Sequence, residues 1–135
     1  MTKEEITARV NEFYGLLLSD LLALFDHGLV TDDIVWDNFL PEDFPFGGTY
    51  KGRAGLETYL GQIGAAIQIN DFQILDVFVD GNTALATGSE QSNVVATGKS
   101  YQMDWVHLLR FNDAGAVEYL REYNDTARMA VAFAA

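Results

Sequence analysis

The sequence predicts an α+β fold in which helices cover one face of a curved sheet. Three observations lead there. Apolar residues recur at three- and four-residue steps in two stretches, residues 6–21 and 56–67. From about residue 70 the apolar period falls to two. Between the alternating runs stand Asp80-Gly81-Asn82 and the segment "NDAG" (112–115), both of which are hairpin signals.

The elements follow in order. Thr2 with Glu5 forms a capping box, in which each side chain satisfies a free backbone donor at a helix start. Ile6, Val10, Phe13, Tyr14, Leu17 and Leu21 then make one apolar stripe. A second short helix runs to Phe25 and ends at "DHG" (26–28), a polar turn that leaves His27 in solvent. "DIVWDNF" (33–39) reads as a strand. "LPEDFPFGGTY" (40–50), with both prolines and a Gly-Gly pair, reads as a loop. Leu56, Tyr59, Leu60, Ile63 and Ile67 mark a third helix. Four long strands come next, and the tail "TARMAVAFAA" is expected to add a final helical turn.

Length and charge bound the function. A chain of 135 residues is expected to form one domain, 1–135, large enough for a substantial core. Its net charge of −12 argues against a nucleic-acid surface, which needs basic residues to displace counterions, and against an anionic membrane surface. There is no cysteine, hence no disulfide framework and no thiolate. "MTKEEITARV" does not read as a signal peptide, so a cytoplasmic location is expected. The two histidines are far apart in sequence, and no metal-ligand spacing emerges.

One residue breaks the pattern. In "YQMDWVHLLRF" the apolar slots hold Tyr101, Met103, Trp105, Leu109 and Phe111, yet His107 occupies one of them. A histidine there is either a satisfied core residue or part of a cavity wall. The following turn suggests its neighbours. A type I turn at Asn112 with a left-handed Gly115 would pair Asn112 with Ala116, Phe111 with Val117 and Arg110 with Glu118. Carried along the strands, that register sets His107 opposite Arg121, Trp105 opposite Tyr123, Leu109 opposite Tyr119 and Met103 opposite Asp125. Met103, Trp105, Tyr119, Arg121 and Tyr123 would then wall a pocket, with Asp125 as its acid. Val106, Leu108 and Leu120 would form an apolar centre on the outer face, suited to a second copy of the chain.

Three segments, "FYGLLLSDLLALF…DDIVW", "GGTYKGRAGLETYL" and "HLLRFNDAGAVEYLREYNDTA", resemble the SnoaL-like and ketosteroid-isomerase-related branch of the nuclear-transport-factor-2-like (NTF2-like) superfamily. The resemblance spans nearly the whole chain. It implies an NTF2-like cone, a cystatin-like α+β roll whose helices pack on a strongly curved mixed sheet around an apolar pocket, with homodimers common. It also implies site residues. By similarity to the isomerases, Asp37 in "DIVWDN" matches the general base, Tyr14 in "EFYG" an oxyanion donor, and His107 the position of a pocket acid. By similarity to SnoaL-type cyclases, His107 matches a histidine on the penultimate strand, whereas the matching carboxylate falls near Glu122, which the register above turns outward.

Isomerisation, cyclisation and dehydration all require a base beside a carbonyl and a donor for the resulting enolate oxygen. Asp37 as base with Tyr14 and His107 as donors meets that requirement, and Arg121 beside His107 would keep the imidazole neutral. The expected function is therefore acid-base chemistry, without a cofactor, on a small apolar carbonyl compound. Two other readings stay open: water activation by an Asp37–Arg121–Asp125 set, and plain binding of an apolar ligand. Alternation alone leaves open whether Trp36 or Asp37 faces inward, and Tyr14 also suits a core position.

Overall fold

A computed structural model describes residues 1–135. Helix α1 (Lys3–Leu17) begins as the capping box requires, with Thr2 Oγ1 accepting from the Glu5 amide at 3.1 Å. The short α2 (Ala23–Asp26) leads through Gly28 into strand β1 (Val30–Asn38). The expected loop contains one strand that its prolines and glycines conceal, β2 (Gly48–Lys51). Helix α3 (Gly52–Ala66) follows, then β3 (Ile67–Asp80), β4 (Thr83–Val94), β5 (Ser100–Phe111), β6 (Val117–Asn124) and α4 (Thr126–Phe133).

The strands form one six-stranded sheet in the order β2-β1-β6-β5-β4-β3. Only β1 and β6 run parallel, so the sheet is mixed. Register shifts interrupt β3 between Ile69 and Asp71 and again between Ile74 and Asp76. Irregularities of this kind bend a strand, and the sheet curves over the helices. The core fills the concave side: Ile6, Val10 and Phe13 of α1, Leu56 and Tyr59 of α3, and Trp105, Leu109 and Phe111 of β5 are all buried. No helix is long and apolar enough to cross a membrane.

The turn between β5 and β6 forms as expected. Asn112 N donates to Ala116 O at 2.8 Å, Gly115 has φ 86°, and Phe111 pairs with Val117. Beyond that pair the expected register fails. Arg110 pairs with Tyr119 and not with Glu118, Leu109 pairs with Leu120, and His107 pairs with Glu122. One extra residue at Glu118 makes a β-bulge, and because side chains alternate with period two, it reverses the facing of everything after it. Leu120 is therefore fully buried and does not belong to the outer face, whereas Val106 and Leu108 lie on that face half-buried.

Candidate functional site: a buried histidine–carboxylate pair

The concave side keeps a cavity of about 140 Å³ between the helices and the sheet. Its wall is mostly apolar, including Leu21, Ile63, Ile67, Phe72, Met103 and Met129. The polar groups that reach it are Asn38, Tyr59, Glu90, Tyr101, His107, Glu122 and Asn124.

His107 and Glu122 meet because β5 and β6 pair them. Nε2 of His107 lies 3.3 Å from Oε1 of Glu122, and both side chains are largely buried. Glu122 Oε2 accepts from Trp36 Nε1 at 2.6 Å and from the Tyr59 hydroxyl. Asn38 Nδ2 donates to Tyr59 Oη at 2.8 Å, and Asn124 Nδ2 donates to Asn38 Oδ1 at 3.0 Å. On the other side of the imidazole, Tyr14 Oη stands 2.7 Å from Nδ1. A carboxylate can only accept, so Nε2 carries the hydrogen that faces Glu122. In the neutral ring Nδ1 is then the acceptor, and Tyr14 donates to it. Five elements, α1, α3, β1, β5 and β6, thus contribute to one chain of polar contacts.

The sequence-predicted residues divide between two faces of the sheet. His107, Met103 and Trp36 line the cavity, and Tyr14 contacts His107 from α1. Trp105 points inward but stacks behind the wall, 4.1 Å from the His107 ring centroid and 4.8 Å from that of Phe72. Asp37 is on the outer face, because Trp36 takes the inward position beside Leu120. There Asp37 accepts from Thr49 Oγ1 and from Tyr119 Oη, each at 2.6 Å. Tyr119, Arg121 and Tyr123 follow it outward as the bulge requires. Arg121 Nε donates to Tyr119 Oη at 2.8 Å, and its guanidinium sits 4.7 Å from the Phe39 ring centroid. Asp125 caps α4, accepting from the Arg128 amide at 3.3 Å. The Asp37–Arg121–Asp125 set is consequently not assembled in the cavity, and no water-activating triad can be built from it there. Sequence reasoning passed over Glu122 as a pocket acid, and it did not single out Tyr59 or Glu90.

A sequence model described as a SnoaL-like domain matches residues 10–119. The chain belongs to the SnoaL-like family. A search of curated proteins gives no significant match. Among solved structures, an NTF2-like protein from Burkholderia xenovorans LB400 is 24% identical, with 99% of each chain covered and a TM-score of 0.85. A SnoaL-like polyketide cyclase from Mesorhizobium loti, so described, is 20% identical over 91% of this chain and 99% of that one, with a TM-score of 0.71. TerC, co-crystallised with polyporic acid, is 17% identical over 95% and 97%, with a TM-score of 0.77. These structural likenesses establish the NTF2-like fold. A histidine on β5 facing a carboxylate on β6 is the arrangement that the cyclase resemblance implied, with Glu122, just beyond the matched residues, in the place the uninterrupted register had denied it.

Electrostatics separate the two carboxylates of this SnoaL-like cavity. Burial alone would raise the Glu122 pKa, but donation from His107, the charge of His107 when protonated, and the hydrogen bonds from Tyr59 and Trp36 outweigh it and lower the pKa. Glu122 is thus an anion at neutral pH. Glu90 moves the other way. Burial raises its pKa against the opposing hydrogen bonds from Tyr101 and Ser92, and the nearby negative charge of Glu122 adds to the rise. Tyr14 and Tyr59 have phenol pKa values well above the ordinary one, through burial first and then the charge on Glu122. Both therefore act as neutral hydrogen-bond donors.

Proposed function

We propose that this SnoaL-like protein carries out acid-base chemistry on a small, mostly apolar carbonyl compound, with the His107–Glu122 pair moving the proton. The observation that carries the reading is the placement of the Glu122 carboxyl group 3.3 Å from the His107 imidazole at the wall of an apolar cavity. The C–H bond next to the carbonyl breaks, its proton passes to the pair, and its electron pair moves onto the carbonyl oxygen. Return of the proton at another carbon completes an isomerisation. Return to a hydroxyl on the next carbon, which leaves as water, completes a dehydration. Attack of the enolate carbon on a second carbonyl, whose oxygen takes the proton, completes an aldol cyclisation. Asn124 gives one N–H to Asn38 and keeps a second, which is available to the enolate oxygen. The Mesorhizobium loti protein, described as a SnoaL-like polyketide cyclase, and TerC with its polyporic acid support the substrate class by analogy of fold.

The test is α-proton exchange of 1-tetralone in D2O, followed by proton NMR. The chain is expected to accelerate exchange over buffer, and Glu122→Gln to lower the rate by about a hundredfold or more. Asp37→Asn, altered only on the outer face, is expected to keep it. Exchange no faster than in buffer, or unchanged in Glu122→Gln, would reject the reading. One observation favours a second reading, plain ligand binding: each member of the polar chain already has a partner inside the protein. In that case 1-tetralone binds without exchange.

The outer sheet face also bears on the assembly. Leu85 pairs with both Phe78 and Leu108 across neighbouring strands, and Phe78 and Leu85 are 59% and 40% exposed. Self-association through this face would cover them together with Val106 and Leu108 of the expected patch, from which Leu120 drops out. Leu85→Glu is expected to shift the elution volume from a dimer toward a monomer. A monomeric parent chain would contradict this.

A further inference from the structure

The His107–Glu122 pair leaves one buried group in the cavity without a task. Glu90 lies on β4, on the inner face between Gly88 and Ser92, and is only 8% exposed. Ser92 Oγ donates to its Oε2 at 2.9 Å and Tyr101 Oη donates to the same oxygen at 2.7 Å. Ser92 is fully buried and Tyr101 is 5% exposed, so neither donor is free to turn elsewhere. Both hydrogen bonds go to one oxygen. The other, Oε1, has no partner in the protein, although Glu90 lines the cavity. Oε1 is not among the fully buried unpaired atoms of the protein, so it stays open to a hydrogen-bonding group in the cavity.

Position separates this group from the proton-moving pair. Ala86 is the β4 partner of His107, and Glu90 stands four residues further along the strand. At a strand rise of about 3.3 Å per residue, the Cα atoms of residues 86 and 90 are about 13 Å apart. Between the two polar ends the wall is apolar, with Ile69, Phe72 and Met103 among its members. Glu90 and the His107–Glu122 pair thus meet the same cavity at two separate points of its wall.

We propose that Glu90, held by Ser92 and Tyr101, is a second recognition point of the cavity, and that it binds a hydroxyl group on the ligand at the end opposite the reacting carbonyl. The oxygen pattern selects a hydroxyl. With Oε2 already accepting twice, a proton on the neutral acid has to sit on Oε1, which then donates into the cavity; on the anion Oε1 accepts. A hydroxyl answers both states, whereas an ether oxygen can only accept and a hydrocarbon edge can do neither. Burial shifts Glu90 toward the neutral acid.

The proposal rests on the reading of the cavity as a site for a ring carbonyl compound, and one experiment separates the two. The full chain is titrated calorimetrically with 1-tetralone, 6-hydroxy-1-tetralone and 6-methoxy-1-tetralone. The hydroxy compound is expected to bind about tenfold more tightly than either of the others. Glu90→Leu is expected to bring the three within about twofold of one another. Should that variant not fold, Glu90→Gln, which keeps the side-chain shape, is expected to reduce the preference at least about threefold. Equal affinity for the three compounds in the parent chain, no binding of any of them, or a preference that survives at Glu90 variants would each overturn the proposal. Loss of exchange in the parent chain with the hydroxyl preference intact would reject the proton-transfer reading alone. Glu122→Gln, in turn, is expected to retain the hydroxyl preference.

Discussion

Gly88→Ala is expected to destabilise the protein by about 3 kcal/mol or more, and to do so through the candidate site. Gly88 pairs with Ile74 on one side and with Trp105 on the other, next to the shift that interrupts β3. A Cβ at this position would overlap the backbone carbonyl oxygen of Gln73 and the Cζ2 and Cε2 atoms of Trp105. A carbonyl in a paired strand cannot rotate away. The indole cannot retreat either, because it is held between Phe72 and His107 and is 2% exposed. The methyl group therefore has to separate β3 from β4 or push Trp105 onto His107. Urea denaturation checks the stability, and the His107 ring resonances check the site. A variant within about 1 kcal/mol of the parent would show that the strands have room to give.

The second large effect is expected at Glu122→Leu. The carboxylate serves three donors, Trp36 Nε1, the Tyr59 hydroxyl and His107 Nε2, whose residues are each no more than 3% exposed. Removing the acceptor leaves these donors without one in a place water scarcely reaches, a loss of about 3–5 kcal/mol for a buried partner removed alone. Its pH dependence follows from the direction of the shift. The folded-state pKa of Glu122 is lowered, so its contribution to stability is fully present above the ordinary carboxylate pKa and is lost as the pH falls through the folded value. The stability gap between parent and Glu122→Leu is expected to be widest near neutrality and to narrow on acidification. A gap that stays constant from roughly pH 7 to pH 3 would mean that the carboxylate gains nothing from its surroundings.

What could be read from the sequence was local. The Thr2–Glu5 cap, the Asp80-Gly81-Asn82 hairpin, the turn from Asn112 to Ala116 and the inward face of β5 each depend on a few neighbouring residues, and the structure contains all of them. The facing of β6 depends on a single inserted residue. In "VEYLREYN" both alternating sets mix apolar and polar side chains, so nothing in the strand opposes a slip, and the bulge at Glu118 exchanged Arg121 for Glu122 beside His107. The facing of β1 was open for a related reason. Its partner β6 is distant in sequence and parallel to it, and Trp36 turns inward only because it lies beside Leu120. Glu90 did leave a trace. The inward positions of β4 include Ala84, Ala86, Gly88, Glu90 and Ser92, so one acid stands among small residues. Strand β2 left less, since four residues that start inside a Gly-Gly pair and end at a helix look like loop.

Strand β6 turns Glu122 into the cavity, where it fixes the tautomer of His107. Nitrogen-15 NMR of the histidine side chains tests this most directly. The ring of His107 is expected to carry its neutral-state hydrogen on Nε2, with Nδ1 resonating as the acceptor of the Tyr14 hydroxyl. Glu122→Gln is expected to shift both nitrogens, while Asp37→Asn leaves them in place. A His107 ring protonated on Nδ1, or one that responds to Asp37 and ignores Glu122, would contradict the account.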